Sequence, residues 1–197
     1  ASATDLKLYG NYIYLDTKER EQMVQKPLEF MITQVQKIES DVQSETGDIS
    51  VDLSSINHPV RSLFWGNVAV SKILPADKFG FDSCDMYLNG TTVFEDMSST
   101  FFHSVQGYYS TPYGLINMNQ THLTPQYTRF FTYNFCFDSS SYKPTGTCNF
   151  SRLDNAKLII KGLDRGSNHA GKNIIVYAVN YNILKFDRGM AGVLFSN

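Results

Sequence analysis

The sequence has few charges and no concentration of positive ones. Charged residues make up 18% of its 197 residues, the formal net charge is −2, and lysine and arginine are scattered along the chain. A nucleic-acid groove usually needs a basic stripe to neutralise phosphates. The composition therefore argues against direct nucleic-acid binding and, more weakly, against an electrostatic membrane anchor.

Long apolar runs are also missing. No run approaches the ~20 residues needed to span a bilayer. The first five residues, A-S-A-T-D, contain neither a positive charge nor an apolar core, so we predict no signal peptide. They contain no initiator methionine either, which leads us to expect a fragment of a longer protein.

Cysteine is scarce and dispersed. Cys84, Cys136 and Cys148 lie far apart and form no C-x-x-C pair. An odd number of dispersed thiols suits a reducing compartment, where they behave as small buried hydrophobes. We therefore predict structural thiols.

Aromatic residues, in contrast, are abundant, with 14 Phe and 12 Tyr beside a single Trp. Such side chains favour half-buried pleated surfaces. Ile49, Val51 and Leu53 alternate with polar neighbours, and this period of two predicts a half-buried strand. The same alternation predicts strands within residues 28–33, 63–70, 131–137, 157–161 and 173–186.

Turn signals separate these strands. Residues 80–88 and 91–94 flank Asn89-Gly90, which is a strong signal for a two-residue hairpin turn. Residues 98–126 show no clear period, and we predict a long irregular arm of the kind that often forms a functional surface. About eight short strands with turns between them predict an all-β, eight-stranded jelly-roll sandwich.

The N-terminal segment has a different pattern. Residues 6–15 alternate and predict a further strand. Asp16 stands three residues before Glu19, which is typical of a helix start, and Pro27 should end that short helix. We therefore divide the chain into a connector at residues 1–26 and a jelly-roll domain at residues 27–197.

One segment nearly matches a phosphate-binding loop. Residues 166–173, G-S-N-H-A-G-K-N, fit the pattern except at the last position, where Ser or Thr is needed to bind magnesium. Residues 174–177 then predict a strand, whereas the phosphate loop opens a helix. We interpret the segment as a surface hairpin and predict no nucleotide cofactor.

Candidate metal and nucleophile sites are weak. The four histidines are His58, His103, His122 and His169. They lack the spacing of a cupin-type metal site, although residues from distant strands could still converge. Cys148 could pair with His169 and with Asp154 or Asp164 as a thiol nucleophile, but nothing local indicates that it is activated. We predict no catalytic, cofactor-binding or metal-binding residues and no enzyme activity.

The irregular arm leaves a second function open. It contains or borders Tyr108, Tyr109, Tyr113 and Tyr127, whose rings could stack on sugars or pack against another protein. A jelly-roll carbohydrate-binding module is therefore an alternative function.

Four segments in collinear order carry a family resemblance. Residues 143–156 read K-P-T-G-T-C-N-F-S-R-L-D-N-A, residues 12–20 read Y-I-Y-L-D-T-K-E-R, and residues 57–65 read N-H-P-V-R-S-L-F-W. The fourth comprises V-Y-A-V-N-Y-N-I-L at 176–184 and G-M-A-G-V-L-F-S-N at 189–197. Together they resemble the major capsid proteins of nucleocytoplasmic large DNA viruses, such as iridoviruses and algal viruses.

The resemblance implies two successive jelly rolls per subunit and homotrimeric capsomers of pseudo-hexagonal outline in an icosahedral shell. Residues 6–15 would be the last strand of the first roll, residues 16–26 the connecting helix, and residues 27–197 the second roll. The missing first roll and the arm at 98–126 depart from the family pattern. A single-jelly-roll penton or minor capsid protein is a closer rival, which should lack the connector.

The resemblance also implies partners and a location. We expect contacts with neighbouring capsomers and with minor capsid or penton proteins, a base toward an internal viral membrane, and outer loops that meet host receptors or carry glycans. The protein would be part of the virion and would assemble in the host cytoplasm.

Within the motif at 143–156, physical chemistry favours a packing role. Gly146 permits a turn that other residues resist. Arg152 and Asp154 could tie a strand end through charge-assisted hydrogen bonds. Nearby, Phe135→Ala should cost about 3–5 kcal/mol if its face of the sheet is core.

Overall fold

The computed structural model describes residues 7–40, 46–67, 81–110, 131–164 and 174–195. They fall into two units, one with residues 7–31 and 183–195 and the other within residues 32–182.

The first unit contains the predicted helix. Helix α1 (Thr17–Gln25) begins with a capping box, in which the Asp16 carboxylate accepts a hydrogen bond from the Thr17 amide at 2.7 Å and the Asp16 amide donates to Glu19 at 3.3 Å. The helix ends before Pro27, as predicted, because proline has no amide to donate. No residue of α1 is buried.

The strand predicted for residues 6–15 is not formed in the part that is described. Residues 7–15 have no regular secondary structure, and no described strand pairs with them. The side chains of Leu8, Tyr12, Ile13 and Tyr14 are 83–98% exposed. Alternation supplies the side-chain pattern of a strand, but a strand also needs a neighbour for its backbone hydrogen bonds.

Ten strands lie within the described residues. They are β1 (Leu28–Ser40), β2 (Thr46–Asp52), β3 (Pro59–Asn67), β4 (Ser83–Leu88), β5 (Thr91–Ser98), β6 (Phe131–Asn134), β7 (Cys148–Asn149), β8 (Ala156–Asp164), β9 (Ile174–Asp187) and β10 (Met190–Val193). One sheet has the order β1-β9-β3-β6, with β10 beside β9 and β7 beside β3; the other has the order β2-β8-β4-β5.

This interleaved order, in which the chain passes repeatedly from one sheet to the other, is that of a jelly roll. The predicted all-β jelly-roll sandwich is confirmed. The predicted count of eight strands is not, because β7 and β10 add two short strands to the eight that form the ordered sheets.

The core of the second unit is built as the alternation predicts. Ile49, Val51 and Leu53, in and just after β2, are all buried. They belong to one apolar cluster with residues of both sheets, including Leu63, Trp65, Met86, Leu158, Ile160, Val176 and Ala178. Removing each of the larger side chains from water contributes about 1.5–3 kcal/mol.

The hairpin between β4 and β5 is also confirmed. Asn89 and Gly90 have φ angles of 49° and 77°. A type I′ turn needs positive φ at both central residues, and asparagine and glycine tolerate it best.

The start of the predicted irregular arm is helical instead. Ser98 ends β5, and a π-helical turn (Phe101–Val105) leads into the short helix α2 (Gln106–Ser110). Phe102 is fully buried, and its ring centroid lies 5.0 Å from those of both Trp65 and Phe94. Phe102 is the only buried residue of residues 101–110, so the sequence shows no repeating apolar face that would predict a helix. Residues 111–126 lie outside the described residues.

The aromatic residues predicted to share a buried face at residues 131–137 become more exposed along the chain, and β6 ends at Asn134. Phe131 is buried in the core, Phe135 is half-buried, and Phe137 is 87% exposed. Just after β6, Gly146 packs against the backbone: a Cβ at Gly146 would lie 2.7 Å from the Phe135 carbonyl oxygen.

Candidate functional site

No metal-binding cluster is found among the described residues, where no three His, Cys, Asp or Glu side chains could hold an ion. Burial raises the pKa of the Cys84, Cys136 and Cys148 thiols, which disfavours the reactive thiolate. No described helix has the length and apolar character needed to cross a membrane. His122, His169 and the loop at 166–173 lie outside the described residues, so the assignments that involve them stay predictions.

The motif at residues 143–156 fastens two parts of the jelly roll. Strand β7 pairs with the start of β3, with Cys148 opposite Val60. The amide of Phe150 donates to the His58 carbonyl at 3.1 Å, and the His58 amide donates to the Ser151 hydroxyl at 2.7 Å. Phe150 is buried at this junction.

The end of the motif that leads into β8 is held differently from the prediction. The Asn89 side-chain oxygen accepts hydrogen bonds from the amides of Asp154 at 2.9 Å and Asn155 at 3.1 Å. The Asn89 amide donates to the Asn155 carbonyl at 2.7 Å. Among the residues that the structure describes, neither the Arg152 nor the Asp154 side chain forms the predicted charge-assisted bond, and both side chains are exposed, where an ion pair gains little.

A charge cluster stabilises the four-stranded sheet. The Lys161 ammonium lies 2.8 Å from the Asp85 carboxylate and 2.6 Å from that of Asp96. Burial acts to raise the pKa of Asp85, but the hydrogen bonds from Lys161 and from the Asp96 amide together hold that pKa below its ordinary value. Hydrogen bonds to Asp85 and Asp96 raise the pKa of Lys161. The cluster keeps a buried carboxylate charged and needs no ligand.

Exposed aromatic side chains lie on α2 and on the loop after β6. We call Tyr108, Tyr109, Phe137 and Tyr142 the aromatic patch; they are 64%, 75%, 87% and 79% exposed. The Ser139 amide donates to the Ser110 carbonyl at 2.8 Å, which brings the two contributing segments side by side. The Tyr108 and Tyr109 rings lie 5.3 Å apart and are perpendicular.

Hydrogen bonds fix both segments of the aromatic patch. The Gln106 side-chain oxygen accepts from the Asn134 amide at 3.1 Å, which fastens α2 to the end of β6. The Asp138 amide donates to the Thr145 hydroxyl at 3.0 Å, and the Asp138 carboxylate accepts from the Ser140 amide at 2.8 Å. The patch is therefore held by the fold.

Sequence reasoning identified only half of the aromatic patch. Tyr108 and Tyr109 are exposed, as predicted, whereas Phe137 lies outside the strand predicted for it and no sequence pattern predicts the exposure of Tyr142. The available signal was the run of serines after Asp138, since such residues favour turns. Tyr113 and Tyr127 lie outside the described residues.

Comparison with known proteins gives a consistent result. A family model described as large eukaryotic DNA virus major capsid protein matches residues 78–192, more than half of the chain. The chain is 32% identical over 212 residues to the major capsid protein of Pyramimonas orientalis virus, covering 100% of this chain and 50% of that protein. It is 27% identical to that of Paramecium bursaria Chlorella virus 1, covering 100% of this chain and 55% of that protein.

A solved structure agrees. The PBCV-1 virus capsid gives a TM-score of 0.73 at 26% identity, covering 94% of this chain and 56% of that one. The chain thus spans about half the length of the relatives it matches.

Proposed function

Because the chain belongs to the large eukaryotic DNA virus major capsid protein family, we propose that it forms part of a structural subunit of an icosahedral virus shell. The observation that carries this proposal is the interleaved order of its two sheets, β1-β9-β3-β6 and β2-β8-β4-β5. Such a sandwich buries its apolar side chains internally and leaves its outer surfaces for contacts with other subunits. The subunit acts by association, without catalysis or a cofactor.

The chain supplies the second of two jelly rolls. Its relatives are about twice as long, and a jelly roll of the same polypeptide would give residues 6–15 a partner strand, which the described residues 7–15 lack here. In that arrangement residues 1–26 hold the last strand of the first roll and the connector helix, and residues 27–197 form the second roll. The nearly complete exposure of Leu8, Ile13 and Tyr14 supports this division, because such side chains are usually buried.

Three such subunits form a capsomer of pseudo-hexagonal outline. Its partners are neighbouring capsomers and the minor capsid and penton proteins, and an internal membrane lies near its base. Outer loops meet the host receptor or carry glycans. Assembly takes place in the host cytoplasm, whose reducing conditions suit the three free cysteines.

Electron microscopy of the whole subunit tests this proposal. We expect three-fold particles with a hexagonal outline, and a sedimentation coefficient that corresponds to a trimer. A subunit that folds but stays monomeric at every concentration would contradict the proposal. Asp16→Ala in the subunit provides a specific test of the connector: it should loosen α1 by removing the cap, at a cost of about 1 kcal/mol, without unfolding the sandwich.

A further inference from the structure

The hairpin formed by β9 and β10 in the first unit has an unfavourable residue at its turn. Arg188 and Gly189 have φ angles of 51° and 79°. The equivalent residues of the β4–β5 hairpin, Asn89 and Gly90, have 49° and 77°. Asparagine tolerates positive φ, whereas arginine seldom adopts it. The turn therefore does not explain Arg188, whose exposed side chain takes part in none of the ion pairs among the described residues.

Gly192 is a second residue that the local structure does not require. It lies within β10, where glycine weakens a strand because it has no side chain to pack. Its φ lies outside the left-handed region, and a Cβ at this position would have no described atom within 4 Å. A glycine inside a strand often marks a place where a ligand or another backbone approaches closely.

Both residues line one cleft over the hairpin. Its volume is about 420 Å³, in the range of sites that bind small groups. In the register of β9 and β10, Gly192 lies opposite Lys185 and Met190 lies opposite Asp187, so these four residues share one face of the hairpin. The missing side chain at Gly192 leaves the space over this face open.

The cleft carries a net positive charge. Its charged lining residues are Lys185, Asp187 and Arg188. The Lys185 ammonium lies 3.9 Å from the Asp187 carboxylate, and both side chains are partly exposed, so this pair gains little. The Arg188 guanidinium is left for a further anion, and arginine can hold a carboxylate through two parallel hydrogen bonds. A partner with an acidic side chain therefore fits the cleft.

The outer edge of β10 offers backbone hydrogen bonds to the same partner. Among the described residues, β10 pairs with β9 alone. Its sequence, M-A-G-V, contains neither the charges nor the proline that usually protect an exposed edge. An extended peptide can add to such an edge as a strand. A peptide residue opposite Gly192 would direct its side chain to the face that holds Lys185.

From these observations we infer that the β10 edge and its cleft form a docking site for an acidic, extended peptide segment of another protein. The segment adds as a strand beside β10, and one of its carboxylate side chains crosses the position of Gly192 toward Lys185 and Arg188. An anionic lipid surface would match the charge but could not pair with the strand edge. The inference is independent of the proposed function, because it concerns binding to one subunit and not the assembly of several.

Binding of a defined peptide to the whole subunit tests the inference. The probe is a fluorescein-labelled eight-residue peptide in which glutamate and valine alternate, and its control has lysine in place of glutamate. Fluorescence anisotropy measures the dissociation constant. We expect the glutamate peptide to bind about tenfold or more tightly than the lysine peptide, and to lose binding when alternate backbone amides are N-methylated.

Two variants locate the site on the hairpin. Arg188→Asn restores a favourable turn while removing the free cation, and Gly192→Val fills the cleft with a residue that favours strands. Neither should lower the temperature of thermal unfolding, and each should weaken binding of the glutamate peptide about tenfold or more. The matched controls are Arg152→Asn and Gly107→Val, which remove a charge and fill an open glycine position in the second unit. Both controls should bind as wild type does.

The outcomes are distinct. Equal binding of the glutamate and lysine peptides, or wild-type affinity in both variants, would overturn the inference. Failure of the wild-type subunit to bind the glutamate peptide would also overturn it, and the oligomeric state of the same sample shows separately whether the proposed function holds. Binding to vesicles of anionic phospholipid that is weakened by Arg188→Asn, without binding of the peptide, would replace the inference with a membrane contact.

Discussion

The π-helical turn and α2 are adjacent in sequence and similarly rich in aromatic residues, yet they differ in burial. Phe102 in the first is fully buried and contacts Trp65 and Phe94, whereas Tyr109 in the second is 75% exposed. The first carries two phenylalanines and the second two tyrosines. Their positions also differ, because Phe102 contacts one residue of each sheet, whereas α2 buries no residue.

Charged residues show the same contrast around Lys161. It pairs with Asp85, whose side chain is 3% exposed, and with Asp96, whose side chain is 72% exposed. The distances from the Lys161 ammonium to the two carboxylates are nearly equal, but only the Asp85 carboxylate is shielded from solvent. Burial therefore determines how much a contact stabilises the fold, for ring and charge alike.

The largest effect is expected from Phe102→Ala. This change removes a fully buried ring packed against Trp65 and Phe94, and it should lower the free energy of unfolding by about 4 kcal/mol. Urea denaturation followed by tryptophan fluorescence reports it directly, since Trp65 is the only tryptophan. A loss below about 1 kcal/mol would show that the turn does not close the sandwich.

Lys161→Met should cost about 3 kcal/mol, because it leaves the Asp85 carboxylate buried without a cation. The control is Asp96→Asn, which removes the exposed partner and should cost less than about 1 kcal/mol. Equal losses for the two variants in urea denaturation would argue against burial as the deciding factor.

Phe135→Ala should cost about 2 kcal/mol, below the range for a fully buried ring. Phe135 is half-buried, with its ring centroid 5.1 Å from that of Tyr133 and 5.8 Å from that of Phe150. Chemical denaturation of both variants tests whether Phe135→Ala lowers the free energy of unfolding less than Phe102→Ala does. A larger loss for Phe135→Ala would contradict this prediction.

Acid should have a smaller effect, exerted through Asp85. Its pKa is lowered in the folded protein from an ordinary value of 3.8. The stabilisation is therefore complete above that ordinary value and is lost as the pH falls through the lower folded value. Denaturation from about pH 7 to about pH 3 should show a shallower fall for Asp85→Asn than for wild type. Parallel curves would mean that Asp85 is not the group responsible.

Tyr109→Ala should change stability least, by less than about 0.5 kcal/mol, because its ring is exposed and no core residue loses a contact. Thermal unfolding of Tyr109→Ala and of Phe102→Ala compares the loss of an exposed ring with the loss of a buried one in the same segment. A loss of more than about 1 kcal/mol would place this ring in the core.

The sequence predicts best where a short-range rule decides the structure. The capping box at Asp16, the Asn89-Gly90 turn and the alternation of Ile49, Val51 and Leu53 each depend on residues within a few positions. Each is found as predicted, because neighbouring backbone groups and one buried face are sufficient to fix it.

Prediction fails where a distant partner decides. Residues 7–15 have the pattern of a strand but no neighbour to pair with. Phe137 continues an aromatic alternation but lies beyond the point where Gly146 packs on the backbone. Half of the aromatic patch was missed for this reason, since its position depends on the approach of the loop after β6 to Ser110.

The side-chain amide of Asn89 has a consequence for the rate at which the sandwich opens. The β4–β5 hairpin is local and can form early, but Asn89 meets Asp154 and Asn155 only after sixty-five or more residues have been brought back to it. A contact with that sequence separation forms late, because loop closure must come first. Asn89→Gly removes this acceptor and tolerates the positive φ, so it should leave the refolding rate nearly unchanged and accelerate unfolding. The side chain of Asn89 would thus lengthen the lifetime of the folded subunit by slowing its unfolding.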